Sequence, residues 1–362
     1  MTEYLTARAV RRAFEESGKR HLILTGGRKS GKTTLMRALC PGILPGVTTW
    51  AVPHSAAYLQ DNMTGETVQI GVFDESLPGP ENRMRMRKDG FLTAGITALK
   101  RSAENEWLTV DEIGYLETEC EEYCAALGDA LEHQRVIAVV RKQEIPFLTE
   151  ILGRDDVFAV DLDDPYGKPG CVIMASGMGK RFSPDGSVNK LTADFLGHPL
   201  IRCVSDTTEG LFHRRVVVTR HRDVAVLCAE NEVIFHDLPH RSDTVRLGTE
   251  AMADTDCCLF CQGDQPLIER DTISAMLLLS KHDRESIIRA SRGGNAASPV
   301  LFPRWAYEEL KNLPEGKGGG WLAKKYPDRV KTLNVFHPAE LMDADAPSDL
   351  DELEEIYREE LS

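Results

Sequence analysis

Short apolar runs alternate with amphipathic stretches along the whole chain, in two consecutive series. In the first, HLILTG (21–26), TVQIGVF (core 68–73), WLTVDEI (107–113), RVIAVV (135–140) and VFAVDL (157–162) are rich in aliphatic residues. They predict buried strands, with helical periodicity between them at 31–40, 92–103 and 119–133. DDPYGKPG at 163–170 combines Pro, Gly and charge and reads as a domain linker. The second series follows at once with CVIMA (171–175), RRVVVT (214–219), EVIF (232–235), CCLFC (257–261), ESIIRA (285–290), SPVLF (298–302) and VKTLNV (330–335). Its helical patterns fall at 242–253, 270–281 and 347–360. Strands alternating with helices predict parallel α/β sheets, here in two domains at 1–165 and 170–362.

A length of 362 residues agrees with more than one domain. The formal net charge is −14 and both halves share the acidic excess, which argues against nucleic acid as a partner. The charged, helix-patterned start MTEYLTARAVRRAFEESGKRH is unlike a signal peptide, and no apolar run is long enough for a bilayer. The nine cysteines are an odd number in a chain that needs no staples, so reduced thiols and a cytoplasmic location are expected. Cys258-x-x-Cys261 has the spacing of a metal or redox pair. It lies inside an apolar run with no second Cys/His pair, which favours a buried structural role.

HLILTG leads into Gly26-Gly27-Arg28-Lys29-Ser30-Gly31-Lys32-Thr33-Thr34 and then an amphipathic helix, the strand–loop–helix setting of a P-loop. Its glycines let successive N–H groups face one point, and the helix start adds its positive end. Lys32 is placed to reach β- and γ-phosphates, and Thr33 to offer a hydroxyl to Mg²⁺. WLTVDEIG supplies Asp111 as the metal partner at a strand end, with Glu112 beside it as a candidate to polarise water. Over 20–162, the P-loop, DEIG and the VIAVVRKQE…ILGRDDVFAVDL ending resemble the THEP-type nucleoside-triphosphatases. That resemblance implies a P-loop NTPase sheet and slow hydrolysis of ATP, GTP or related nucleotides. Arg83, Arg85 and Arg87 in RMRMRK read either as cations for a transition state or as a solvated edge.

After CVIMA, Ala175-Ser176-Gly177-Met178-Gly179-Lys180-Arg181-Phe182 and then Asn189-Lys190-Leu191 form a glycine loop with cations. Arg181 suits bidentate phosphate contacts and Lys190 acts as a point charge. Gly263-Asp264-Gln265-Pro266 puts Asp264 at a carboxyl-terminal strand edge, where α/β sheets bind ligands and one carboxylate suits Mg²⁺. Asp343 or Asp345, in DADAPSDL, would be the second carboxylate, with helix capping the rival role for Ser348 and Asp349.

ASGMGKRF…NKL…GDQPLI…SPVLF…DADAPSDL over 170–358 is similar to the MobA-like nucleotidyltransferases, and NKL and GDQPL most resemble the molybdenum cofactor cytidylyltransferases. The resemblance implies a Rossmann-like sheet of the nucleotide-diphospho-sugar-transferase type. It also implies nucleotidyl transfer from CTP, or GTP, to the phosphate of a molybdopterin-type cofactor, with a molybdoenzyme as eventual recipient. On that analogy the 176–181 loop and Lys190 bind triphosphate, while Asp264 with Asp343 or Asp345 binds Mg²⁺. The chain departs from the family at SPDGSV (183–188), at Phe182, at HRSDTVRLG (240–248) and at Ala297-Ser298-Pro299-Val300. In HRSDTVRLG, Arg241, Ser242, Thr244 and Arg246 read either as acceptor contacts or as a polar helix start. No histidine is assigned a role. Two other classes stay open: a cofactor-delivery protein with a P-loop switch, and a P-loop small-molecule kinase.

Overall fold

The computed structural model describes residues 5–361 apart from 43, 79–82, 102–104 and 184–187, so most of SPDGSV lies outside the described residues. The chain divides into two compact units, Met1–Pro165 and Tyr166–Ser362.

The first unit carries β1 (His21–Thr25), β2 (Gly46–Val52), β3 (Ala56–Asp61), β4 (Thr67–Phe73), β5 (Met84–Met86), β6 (Trp107–Ile113), β7 (Arg135–Val140) and β8 (Val157–Asp161). They form one eight-stranded sheet in the order β5-β4-β3-β2-β6-β7-β1-β8. The β2-β6-β7-β1-β8 portion is parallel, and β1 is buried at every position because both its faces are covered. β2 to β5 form an antiparallel meander, so the sheet is mixed rather than all parallel. The apolar-run criterion passes over β2, β3 and β5 for a physical reason. An antiparallel meander needs only one covered face, so Val47, Ala57 and Leu59 are buried while Trp50 and Val52 are exposed. RMRMRK contributes the edge strand β5, where Arg85 pairs with Asp74 at the surface and Arg87 donates to Gln69.

The second unit carries β9 (Pro169–Ala175), a small hairpin of β10 (Asp194–Phe195) and β11 (His198–Pro199), then β12 (Arg214–Thr219), β13 (Glu232–Phe235), β14 (Cys257–Gln262), β15 (Ile287–Arg292), β16 (Asn295–Pro303) and β17 (Val330–Asn334). Its main sheet has seven strands in the order β13-β12-β9-β14-β16-β15-β17. Only β16 runs against its neighbours. β9 starts within the segment read as linker. The helix Arg270–His282 buries an unbroken stretch, Thr272 to Ser280.

All nine cysteines are free thiols, and burial pushes the Cys258 thiol far above its ordinary range. Cys258 and Cys261 are three apart on β14, so their side chains leave opposite faces of the sheet and cannot clasp one ion. Among the described residues no helix is long and apolar enough to cross a membrane.

Candidate active sites

Parallel pairing of β1 with β7, and of β7 with β6, brings the ends of β1 and β6 to one edge of the first sheet. The P-loop follows β1, and the helix Lys32–Leu39 starts from Gly31 at φ +96°, a left-handed conformation that glycine adopts freely. Lys32 Nζ curls back onto the loop, 2.9 Å from the Gly26 carbonyl and 2.6 Å from that of Gly27. Thr33 Oγ1 donates to Asp111 Oδ1 at 3.2 Å, so the two expected metal partners do meet. Loss of hydration raises the Asp111 pKa, and the bond from Thr33 opposes that. A hydroxyl and a carboxylate held together in this way are the hard oxygen donors that suit Mg²⁺ beside phosphate.

Gly26 through Thr34, Asp111 and Glu112 line a cleft of about 940 Å³. Glu112 reaches it already engaged, its carboxylate ion-paired with Arg141 and its backbone N–H donated to Thr49 Oγ1 at 3.0 Å. Asp163, read as linker, instead accepts the Gly27 N–H at 2.8 Å. Behind the cleft Glu117 is buried and accepts the Gly114 N–H at 2.8 Å, closing the start of its own short helix. Burial pushes its carboxyl up to about 7.

In the second unit the glycine loop leaves β9 and Asp264 follows β14, its parallel neighbour. Asn189 caps the turn Lys190–Thr192 by accepting the Leu191 N–H, which turns Lys190 inward until it is nearly buried. Its ammonium joins Asp264 and lies 3.0 Å from Asp345 Oδ1, and Arg181 Nη2 lies 2.8 Å from Asp345 Oδ2. Burial alone would lower the Lys190 pKa, but the two carboxylates outweigh it and raise the value. Asp343 stands at the edge of this group and is exposed; loss of hydration, then Asp264 and Asp345, push its carboxyl up to about 6.

Of the expected metal partners, Asp264 with Asp343 or Asp345, Asp264 and Asp345 share the Lys190 ammonium. Among the described residues no three acidic, His or Cys side chains converge on a metal position, and the Lys190 ammonium stands between Asp264 and Asp345. The donor chemistry still fits Mg²⁺: Asp264 Oδ1 is buried without a hydrogen-bond partner, an oxygen that a cation would satisfy. Asp349 takes the capping role, accepting the Asp345 and Ala346 N–H groups at 2.9 and 2.8 Å.

Ser176, Gly177, Lys190 and Asp264 line a pocket of about 290 Å³ that also includes Arg241 and Thr244. Gly179 is left-handed at φ +59°, beside the Lys190 side chain, and Ala175 ends the buried strand. Of the acceptor candidates, Ser242 accepts the Gly316 N–H, whereas Arg246 pairs with Glu250 and Asp243 along its own helix.

Two histidines that sequence reasoning left unassigned hold the loop. His236 Nε2 lies 2.8 Å from Ser176 Oγ, while its Nδ1 accepts the Leu238 N–H at 3.2 Å. That second bond requires an unprotonated Nδ1, so the ring is neutral with its proton on Nε2. Ser176 Oγ donates its own hydrogen bond to the Val218 carbonyl. His221 Nε2 lies 2.9 Å from the Gly177 carbonyl. No spacing in the sequence marks these residues, since they reach the loop from β12 and β13.

The two halves fall into recognised classes. Residues 171–330 match the MobA-like NTP transferase domain, and residues 79–165 match the NTPase domain, a match that begins beyond the P-loop. The chain thus joins an NTPase domain of THEP-like type to a nucleotidyltransferase domain. No curated protein matches the chain in sequence. Among solved structures, a nucleotidyl transferase from Methanothermobacter thermautotroptrophicus is 21% identical, with 53% of this chain and 98% of that one covered and a TM-score of 0.47. A CMP:2-keto-3-deoxy-manno-octonic acid synthetase complexed with CTP is 17% identical, covering 54% and 100%, at 0.43. THEP1 from Aquifex aeolicus is 18% identical, covering 39% and 89%, at 0.35.

Proposed function

We propose that the second unit is a Mg²⁺-dependent nucleotidyltransferase that joins the nucleotidyl group of CTP, with GTP the close competitor, to the phosphate of a molybdopterin-type acceptor. The first unit hydrolyses ATP or GTP. The observation that carries the reading is Lys190, buried beneath the glycine loop between Asp264 and Asp345 with Arg181 alongside. Such a cluster has cations for a triphosphate and, once the ammonium turns to phosphate, carboxylates for a metal. The base and the acceptor rest on the NKL and GDQPL resemblance.

An acceptor phosphate oxygen attacks the α-phosphorus, the bond to the β-phosphate bridging oxygen breaks, and pyrophosphate leaves. Lys190 and Arg181 neutralise the charge that builds on it. When bound at Asp264 with Asp343 or Asp345, Mg²⁺ supplies Lewis-acid polarisation of the phosphate. The nucleophile is already anionic, so no side chain has to take a proton. In the first unit the P-loop amides and Lys32 would hold the polyphosphate, and Thr33 and Asp111 would offer the oxygens for Mg²⁺.

The test incubates full-length protein with each NTP, with and without molybdopterin cofactor, and follows pyrophosphate and orthophosphate separately. Pyrophosphate should appear only with NTP and acceptor together and vanish in Asp264→Ala. Orthophosphate release should vanish in Lys32→Ala with pyrophosphate release kept. Absence of pyrophosphate under every combination would favour cofactor delivery. Phosphate transferred to an added acceptor rather than released would favour a kinase.

A further inference from the structure

The first unit holds a second cleft, of about 290 Å³, that shares Arg28, Thr49, Glu112 and Arg141 with the P-loop cleft. The two therefore meet at the Glu112–Arg141 pair, next in sequence to Asp111. Away from that border the lining is apolar. Ala57, Ile70 and Leu116 are buried there, while Trp50 and Phe73 keep part of their rings accessible. Phe73 is fixed by His54, edge to face at 5.0 Å, and Trp50 by stacking on Tyr58 at 5.7 Å.

Charge in this cleft runs against the rest of the chain. Among the described residues that line it, Arg28, Arg83 and Arg141 outnumber the acids Glu112 and Glu117, although the net charge of the protein is −14. Burial also leaves Glu117 only partly ionised at neutral pH. Arg141 stands where the two clefts join. Its guanidinium is ion-paired with Glu112, and its stem crosses Gly114, where a Cβ would lie 2.7 Å from Arg141 Cδ. The glycine of DEIG thus makes room for this arginine. The pair is 39% and 26% exposed, so it is weak enough for an anion in the cleft to compete for the guanidinium. While it lasts, it ties the Glu112 carboxylate to Arg141.

We propose that this cleft binds a small aromatic acid, a flat ring carrying one carboxylate, and that its binding activates hydrolysis at the P-loop. The ring lies along Phe73 and Trp50, and the carboxylate takes the Arg141 guanidinium with Arg28 and Arg83 beside it. Glu112, released, orients the attacking water by accepting its hydrogen bond. The water oxygen bonds to the γ-phosphorus, the bond from that phosphorus to the bridging oxygen breaks, and the nucleoside diphosphate leaves. The water's protons end on the released phosphate. The cationic excess selects the acid over its neutral amide, and the aromatic walls select a ring over an aliphatic acid. The assignment deepens the NTPase reading of the first unit and rests on it.

Calorimetric titration of the full-length protein with indole-3-acetate, and orthophosphate release from ATP in its presence, test both parts. The probe has no hydroxyl that could accept phosphate; indole-3-acetamide and acetate are the comparison ligands. Indole-3-acetate should bind at least about tenfold more tightly than either, and should raise orthophosphate release at least about fivefold. Phe73→Ala and Arg83→Gln should each weaken binding by about tenfold and lower the stimulation with it. Arg141→Gln frees Glu112 permanently, so its release without the probe should rise toward the stimulated native rate, a gain that damage to the fold does not produce. Equal binding of the amide, no binding of the acid, binding without stimulation of the native protein, or no rise in Arg141→Gln would each overturn the assignment. Lys32→Ala should lose ATP hydrolysis and still bind the probe. Orthophosphate release that persisted in that variant would instead sink the NTPase reading, and the titration would still judge the cleft.

Discussion

Replacing Lys190 with methionine removes one ammonium and keeps the length and apolar volume of the stem. In the native chain that ammonium is 8% exposed and meets Asp264 at 17% and Asp345 at 26%. Without it, Asp264, Asp345 and the neighbouring Asp343 face one another with only Arg181 left, and that guanidinium is 77% exposed. Breaking a fully buried pair costs about 3–5 kcal/mol. Solvent reaches Asp345 and Asp343, so the expectation here is the lower figure of about 2–3 kcal/mol. For a unit of this size that is a fall in melting temperature of roughly 4–12 °C.

The same reasoning predicts a rescue. A divalent cation must displace the ammonium in the native protein but meets open carboxylates in Lys190→Met. Mg²⁺ or Mn²⁺ should therefore raise the melting temperature of the variant more than that of the native protein. Scanning calorimetry of both proteins, with EDTA and with metal, reads both effects on the transition of the second unit. Pyrophosphate release should fall by at least about a hundredfold, since the cation on the leaving group is gone. A variant melting within a degree of native, or an identical metal response in the two proteins, would falsify the view that this lysine neutralises a metal-ready carboxylate group.

Glu117→Gln bears on pH. The folded carboxyl titrates near 7 against an ordinary 4.5, so the folded state holds the proton that the unfolded state has lost between those values. Stability from this group is full below pH 4.5, declines as pH rises to 7 and is flat above, by at most about 3 kcal/mol. Glutamine should flatten that decline in thermal melts at pH 5 and 8, and an unchanged slope would refute it. His236→Asn probes the loop. Burial first, and Arg220 second, lower the His236 pKa, so in the native protein the neutral ring is lost only as pH falls below the ordinary value of about 6.5. The KM for the NTP donor should rise in that acid range while kcat changes less, and the asparagine variant should show a raised KM with no such pH dependence. Asp163→Ala frees the Gly27 N–H, and should change orthophosphate release without altering pyrophosphate release; a change in both would show that its carboxylate is not confined to the P-loop.

Much of this molecule was readable from one dimension. Parallel strands covered on both faces must be apolar throughout, so β1, β6, β7, β9, β12 and β14 announce themselves, and glycine loops behind them mark phosphate sites because few other residues permit that curl. Asp111 and Asp264 follow from their places at strand ends. Of the meander, β2, β3 and β5 escaped because a sheet region with one solvated face leaves only a broken alternation. Other facts had no local signature at all. Lys190 between Asp264 and Asp345 depends on segments 74 and 155 residues apart, and His236 reaches Ser176 across 60 residues. The convergence of Arg28, Arg83 and Arg141 likewise exists only after the meander joins β6 and β7 in one sheet. Residue type and spacing report the chemistry that one strand and its loop can offer. Which charges end up paired, and which are left facing a cleft, is set by packing between distant segments, where burial makes an unpartnered group costly and a ligand for it favourable.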